Sequence, residues 1–229
     1  MVASLVVERR NVLLSTLASV PVLTTDQIAR LMFSDAGSPV KRASAMCKEL
    51  EREKILEGKR LPDMKKVWRL TLNGRKENAV TQQPVPLNTP KMTHWLTISD
   101  VYLALNATGL LKHFECELRL SYKHLLKEYV YAPDLFFIWN KRAYLMEVQL
   151  KALSRKEWGE KWKRWNEYFN NGHHLQAPWQ RFKQGGGLVP HMAALSKQDP
   201  EIVRSCFGVS GRDLLVHDNI QKLINARGD

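Results

Sequence analysis

Two acidic residues, Asp134 and Glu147, sit thirteen positions apart, each in or beside an apolar, β-prone run. The runs are Tyr131-Ala132-Pro133-Asp134-Leu135-Phe136-Phe137-Ile138-Trp139 and Ala143-Tyr144-Leu145-Met146-Glu147-Val148-Gln149-Leu150, and the bend Asn140-Lys141-Arg142 joins them. Strand-forming residues on both sides of a short polar turn predict a β-hairpin. A carboxylate inside such a strand costs free energy unless something compensates it, and a divalent cation is a common compensator. Adjacent strands would bring Asp134 and Glu147 together around one Mg²⁺ or Mn²⁺, with Gln149 beside a scissile phosphate. The alternative is local: Asp134 caps a turn after Pro133, and Glu147 pairs with Lys141 or Arg142 across the hairpin.

The rest of the chain supplies a partner for such a site. Its 229 residues carry a formal charge of +12, with 44% hydrophobic and 25% charged residues, which is globular and strongly basic. Between Lys41 and Lys76, twelve Lys and Arg stand against five acids; between Lys141 and Lys183, ten stand against four. Excess of this kind predicts a polyanionic partner. Three cysteines, Cys47, Cys116 and Cys206, form no C-x-x-C pair, which argues against structural zinc or a disulfide framework. The first ten residues lack a signal-peptide pattern and no apolar run is long enough to span a bilayer, so the expectation is a cytoplasmic protein with no membrane partner.

Residues 1–76 read as helix, helix, helix, hairpin. Leu5, Val6, Val12, Leu13, Leu17 and Val20 recur at helical spacing. Thr24-Thr25-Asp26-Gln27 signals a second helix start, and Ser38-Pro39 opens a third with proline in its first turn. Two β-prone runs then flank Leu61-Pro62-Asp63. That order resembles a winged helix-turn-helix, in which the third helix enters the major groove and the wing touches the backbone. Its candidate DNA-binding residues are Lys41, Arg42, Ser44 and Lys48 on the helix, with Lys65 and Lys66 at the wing. Residues 77–92, including Gln82-Gln83-Pro84-Val85-Pro86, form a proline-rich linker, and 93–229 a second domain.

In that second domain the sequence predicts a helix ending near Gly109 and a Trp-rich helix over 154–169. A strand within 188–195, a short helix over 200–207, a strand from Asp213 to His217 and a last helix capped by Asp218 follow. Trp158, Trp162 and Trp165 share one helix face, which suits core packing better than base stacking. Gly185-Gly186-Gly187 lacks the context of a phosphate loop and reads as a turn. Glu117 is a third candidate metal ligand beside Asp134 and Glu147. Lys151, two residues past Gln149 and so expected on the same strand face, is a further candidate cation for the site, and His94 is a candidate base, ligand or phosphate contact.

Asp134 with Glu147-Val148-Gln149 resembles the PD-(D/E)xK nuclease arrangement in its E-x-Q form. Together with the winged half, His94, Glu117-Leu118-Arg119 and Pro133-Asp134, the chain is similar to the replication-relaxation family and, through it, to MOBC-type plasmid relaxases. The resemblance implies an α+β, two-domain protein: an N-terminal winged helix, then an α/β restriction-endonuclease-like domain. It implies metal-dependent nicking of one DNA strand at a plasmid or mobile-element origin, without a tyrosine nucleophile, beside conjugation or replication proteins. Asp134, Glu147, Gln149, Glu117, Lys151 and His94 would form its catalytic set. The rival reading is a non-catalytic regulator of replication, transfer or transcription, binding duplex DNA at an operator and using the nuclease-like half as a homodimer or partner platform.

Overall fold

A computed structural model describes residues 2–63, 65–80, 84–124, 126–183, 187–207 and 214–227. Gln82 and Gln83 of the expected linker, Gly185 and Gly186 of the glycine run, and Asp213 lie outside those residues. The chain is a mixed α+β protein that divides into two compact units, 1–103 and 104–229.

The first unit begins with α1 (Val2–Ser19), β1 (Leu23–Thr24) and α2 (Thr25–Met32). The second helix starts where the sequence places it. The Thr24 side chain accepts from the Gln27 amide (3.1 Å), and Gln27 Oε1 accepts from the Thr24 amide (2.8 Å), a complete capping box. Then comes α3 (Pro39–Arg52), which buries Ala43, Cys47 and Leu50 at helical spacing and leaves Lys41, Arg42 and Lys48 exposed. β2 (Leu56–Arg60) and β3 (Lys66–Leu70) pair antiparallel, and β1 adds to the other edge of β3. α4 (Leu72–Glu77), capped by Thr71, and α5 (Met92–Ala107) complete the segment. One expectation changes at α1. Its apolar spacing suggests a buried stripe throughout, yet Leu5, Val6 and Val12 are exposed, and burial begins at Leu13, Leu14 and Leu17.

The second unit contains β4 (Leu111–Cys116), β5 (Leu120–His124), β6 (Lys127–Tyr131), β7 (Leu135–Trp139), β8 (Arg142–Gln149), α6 (Arg155–Asn170), β9 (His191–Ser196), α7 (Pro200–Ser205), β10 (Leu214–His217) and α8 (Ile220–Arg227). Two 3₁₀ turns, His173–Gln176 and Pro178–Phe182, follow α6. The five-stranded sheet runs β10-β9-β8-β7-β4. It is mixed: β8, β9 and β10 are parallel neighbours, while β7 is antiparallel to both β8 and β4. β5 and β6 form a separate hairpin. Trp158, Trp162 and Trp165 are buried in one core cluster with Phe136, Ala143 and Leu145 from the sheet, so the indoles pack as the spacing predicts. The last helix is capped differently from the expectation: Asn219 Oδ1 accepts from the Lys222 amide (3.1 Å), while Asp218 pairs with the Lys222 ammonium (2.8 Å).

Candidate functional site

The geometry of the acidic pair follows from a turn. β7 and β8 are joined by Asn140 and Lys141 alone, with φ of 45° and 61°. Both residues are left-handed, the backbone that a two-residue turn needs to match the twist of its strands. Trp139 therefore pairs with Arg142, and the ladder runs back to Leu135 opposite Met146. One residue further, Asp134 comes beside Glu147, and its Oδ2 accepts from the Val148 amide at 2.7 Å. Alternation along β8 puts Glu147 on the face of Ala143 and Leu145, the face that shares a core with α6.

Glu147 is 4% exposed. Its partner is not Lys141 or Arg142. Lys161 of α6 approaches it instead, Nζ to Oε2 at 2.5 Å. The position of Lys161 is dictated by the helix. Ser154 and Glu157 form a capping box that fixes where α6 starts, and the buried indoles of Trp158, Trp162 and Trp165 fix its rotation. Lys161 lies three residues after Trp158 and four before Trp165, at the edge of that stripe. Burial lowers its pKa, but the charges of Glu147 and then Asp134, with the hydrogen bond to Glu147, outweigh that and raise it above the ordinary value. Tyr131, fully buried in β6, has its phenol pushed well above its ordinary value, first by burial and then by Glu147 and Asp134. Two acids, an ammonium and a phenol thus converge.

The other expected site residues lie differently. Gln149 ends β8 and donates its amide to the Lys151 carbonyl (3.1 Å). Lys151 is exposed beyond the strand, so it does not share a strand face with Gln149. Glu117, exposed and left-handed (φ 57°), contacts Asp134 through the backbone, its amide donating to the Asp134 carbonyl (2.9 Å). Among the described residues, no three or more His, Cys, Asp or Glu side chains group as a metal site. His94 belongs to the first unit, on α5, edge-on to Trp95 at 5.4 Å. Asp134, just before β7, and Glu147 on β8 are two hard oxygen donors, a set that fits Mg²⁺ or Mn²⁺, ions that keep several waters.

On α3, Lys41, Arg42 and Lys48 are exposed and Ser44 half-buried. Lys65 is exposed and paired with Asp63 (3.0 Å). Lys66, expected to contact phosphate near the wing tip, is already engaged within the unit. It pairs with Glu51 (3.2 Å) and lies 3.9 Å over the Trp68 ring, packed against the hairpin. Lys161 and Tyr131 are the residues the sequence did not single out. A lysine on an indole stripe and a tyrosine three residues before Asp134 were the available signals.

The family model described as Replication-relaxation matches residues 14–179, a span that includes α3, Asp134, Glu147 and Lys161. The chain belongs to the replication-relaxation family. Membership ties it to replication or mobilisation. No curated protein matches it. Among solved structures, VC1899 from Vibrio cholerae is similar over 80% of this chain and 41% of that one, at 12% identity and a TM-score of 0.36. Can2 from Sulfobacillus thermosulfidooxidans, solved with cyclic tetra-adenylate, is similar over 78% and 42%, at 10% identity and a TM-score of 0.34. The chain thus spans about two-fifths of the length of each. No helix among the described residues is long and apolar enough to cross a membrane.

Proposed function

We propose that this replication-relaxation protein binds duplex DNA at an origin through its first unit, a winged helix, and nicks one strand with its second, a PD-(D/E)xK-like domain. The observation that carries the reading is the register that sets Asp134 beside Glu147, with Lys161 against them. Asp134 and Glu147 are the residues to hold Mg²⁺ or Mn²⁺. When bound, such an ion polarises the phosphate and makes its water a better nucleophile. Gln149, a neutral amide, cannot stabilise charge as an ammonium does. Lys161 supplies that positive charge from α6 rather than from the strand, where it can meet charge building on phosphoryl oxygens. Exposed Lys41, Arg42 and Lys48 on α3 support the DNA-binding half.

Incubated with Mn²⁺, a supercoiled plasmid carrying the cognate origin should become open-circular. Asp134→Asn should leave it supercoiled while duplex binding persists. Wild type that binds but never nicks would sink the cleavage reading, and a linear product would replace nicking with double-strand scission. One observation favours the non-catalytic regulator: Lys161 already balances the charge of Glu147. That reading calls for operator binding with no calorimetric Mn²⁺ site.

A further inference from the structure

The β5–β6 hairpin and the end of α6 line a concavity that the cleavage reading does not use. It measures about 550 Å³, and Arg119, Lys123, Tyr122, Tyr168, His173 and Gln176 help to line it. Short ring contacts connect it to the site. Tyr131, which feels the charges of Glu147 and Asp134, lies 5.5 Å from Tyr168; Tyr168 is 5.5 Å from Tyr122, and Tyr122 4.9 Å from His173. α6 runs the same way. Lys161, Arg164 and Tyr168 are spaced to share one helix face, and seven residues rise about 10 Å, which one strand of a duplex covers in about three nucleotides. Arg164 is exposed, and its charge acts on both Lys161 and Tyr122, while the Tyr122 hydroxyl donates to Glu167 (3.3 Å).

The lining selects a ligand class. Arg119 and Lys123 are exposed cations at the rim, with Glu128 the one acid among the lining residues. Cations at this position suit phosphate contacts. The ring faces of Tyr122 are taken by Tyr129 and His173, so the pocket offers ring edges, hydroxyls and the Gln176 amide rather than a stacking platform. A hollow of this volume admits a nucleotide, whereas a base-paired duplex is too wide to enter it. Resting on the cleavage reading, we infer that this pocket is a subsite for an unpaired nucleotide of the strand being cut, a few nucleotides from the scissile phosphate. The substrate is then a melted or single-stranded segment next to the duplex that the first unit holds.

The test is fluorescence anisotropy on the full chain, in EDTA, with a short labelled single strand and a hairpin duplex of the same sequence. Arg119→Ala/Lys123→Ala should weaken the single strand roughly tenfold and lower its salt slope by about 1.4, two phosphates' worth. Duplex affinity should stay within about twofold. Both side chains are exposed, and Arg119→Gln/Lys123→Gln, which keeps much of their length, should reproduce the loss. Equal losses for both probes, or no loss for either, would each overturn the inference. Because metal and cleavage are absent, this result is independent of whether the plasmid is nicked.

Discussion

Replacing Lys161 by Met removes the ammonium while keeping most of the side-chain volume, and takes that charge away from Glu147, 4% exposed, beside Asp134. Removing one partner of a buried ion pair costs about 3–5 kcal/mol. The Lys161 side chain is 33% exposed, so water already screens its end of the pair, and the expected cost falls to about 2 kcal/mol. At about 2–4 °C per kcal/mol for a chain of this length, the second unit should melt about 4–8 °C lower. Adding Glu147→Gln to Lys161→Met should restore most of the loss, because both charges of the pair are then gone, and the cycle should show a coupling of about 1–2 kcal/mol. The pH dependence has a definite sign. The folded pKa of Lys161 is raised, so its contribution is complete below the ordinary lysine value of 10.5 and is lost as pH climbs through the higher folded value. Wild type and Lys161→Met should therefore differ by a constant margin across neutral pH and converge only above pH 10.5. Circular-dichroism melts of the four proteins decide the matter. Strictly additive single losses, or a gap that closes on going from neutral to mildly alkaline pH, would refute the assignment of Lys161 as the counter-charge of this pair.

Three further outcomes are expected. A Cβ on Gly58 would meet Lys66 Cε and the Trp68 ring at 2.5 Å, whereas one on Gly74 would run into the Ile55 carbonyl, which cannot swing aside. Both Ala variants should unfold at lower urea, by about 1–3 kcal/mol, with Gly74→Ala the worse; the opposite order would count against the packing described. Lys141→Gly relieves a left-handed side chain in the β7–β8 turn and should stabilise the second unit by about 0.5 kcal/mol in the same assay. On α3, Lys41→Ala/Arg42→Ala/Lys48→Ala should reduce the salt slope of duplex binding by about 2–3 with an unchanged melt. Lys66→Ala should do the reverse, lowering the melt and sparing the slope, because Lys66 is tied to Glu51 and Trp68.

Features set by neighbours in the chain were legible in the sequence. Thr24 and Gln27 cap α2 from three residues apart, Pro39 opens α3, and strand alternation around Asn140-Lys141 gives the hairpin that unites Asp134 with Glu147. What was hidden depends on contacts made through space. Lys161 meets Glu147 across fourteen residues only because α6 packs its indole stripe on that sheet face, and no local pattern encodes this. Lys66 looked like a wing-tip cation because its partner Glu51 is fifteen residues earlier, on α3. β6 escaped notice because Lys127, Glu128 and Val130 are exposed and give a weak apolar alternation. At the start of α1, Leu5 and Val6 carry helical spacing but nothing in the first unit covers them among the described residues.

The two-residue link between β7 and β8 means that the acidic pair is specified by counting. Slipping one position in either arm would send one carboxylate to the far side of the sheet while its neighbour stayed, so a single inserted or deleted codon there would dismantle the pair without touching either acid. Changes of two codons, one in each arm, could lengthen or shorten the ribbon and still leave the pair matched. Relatives that keep this chemistry should therefore tolerate varied residues along the two arms far more readily than any change in their relative length.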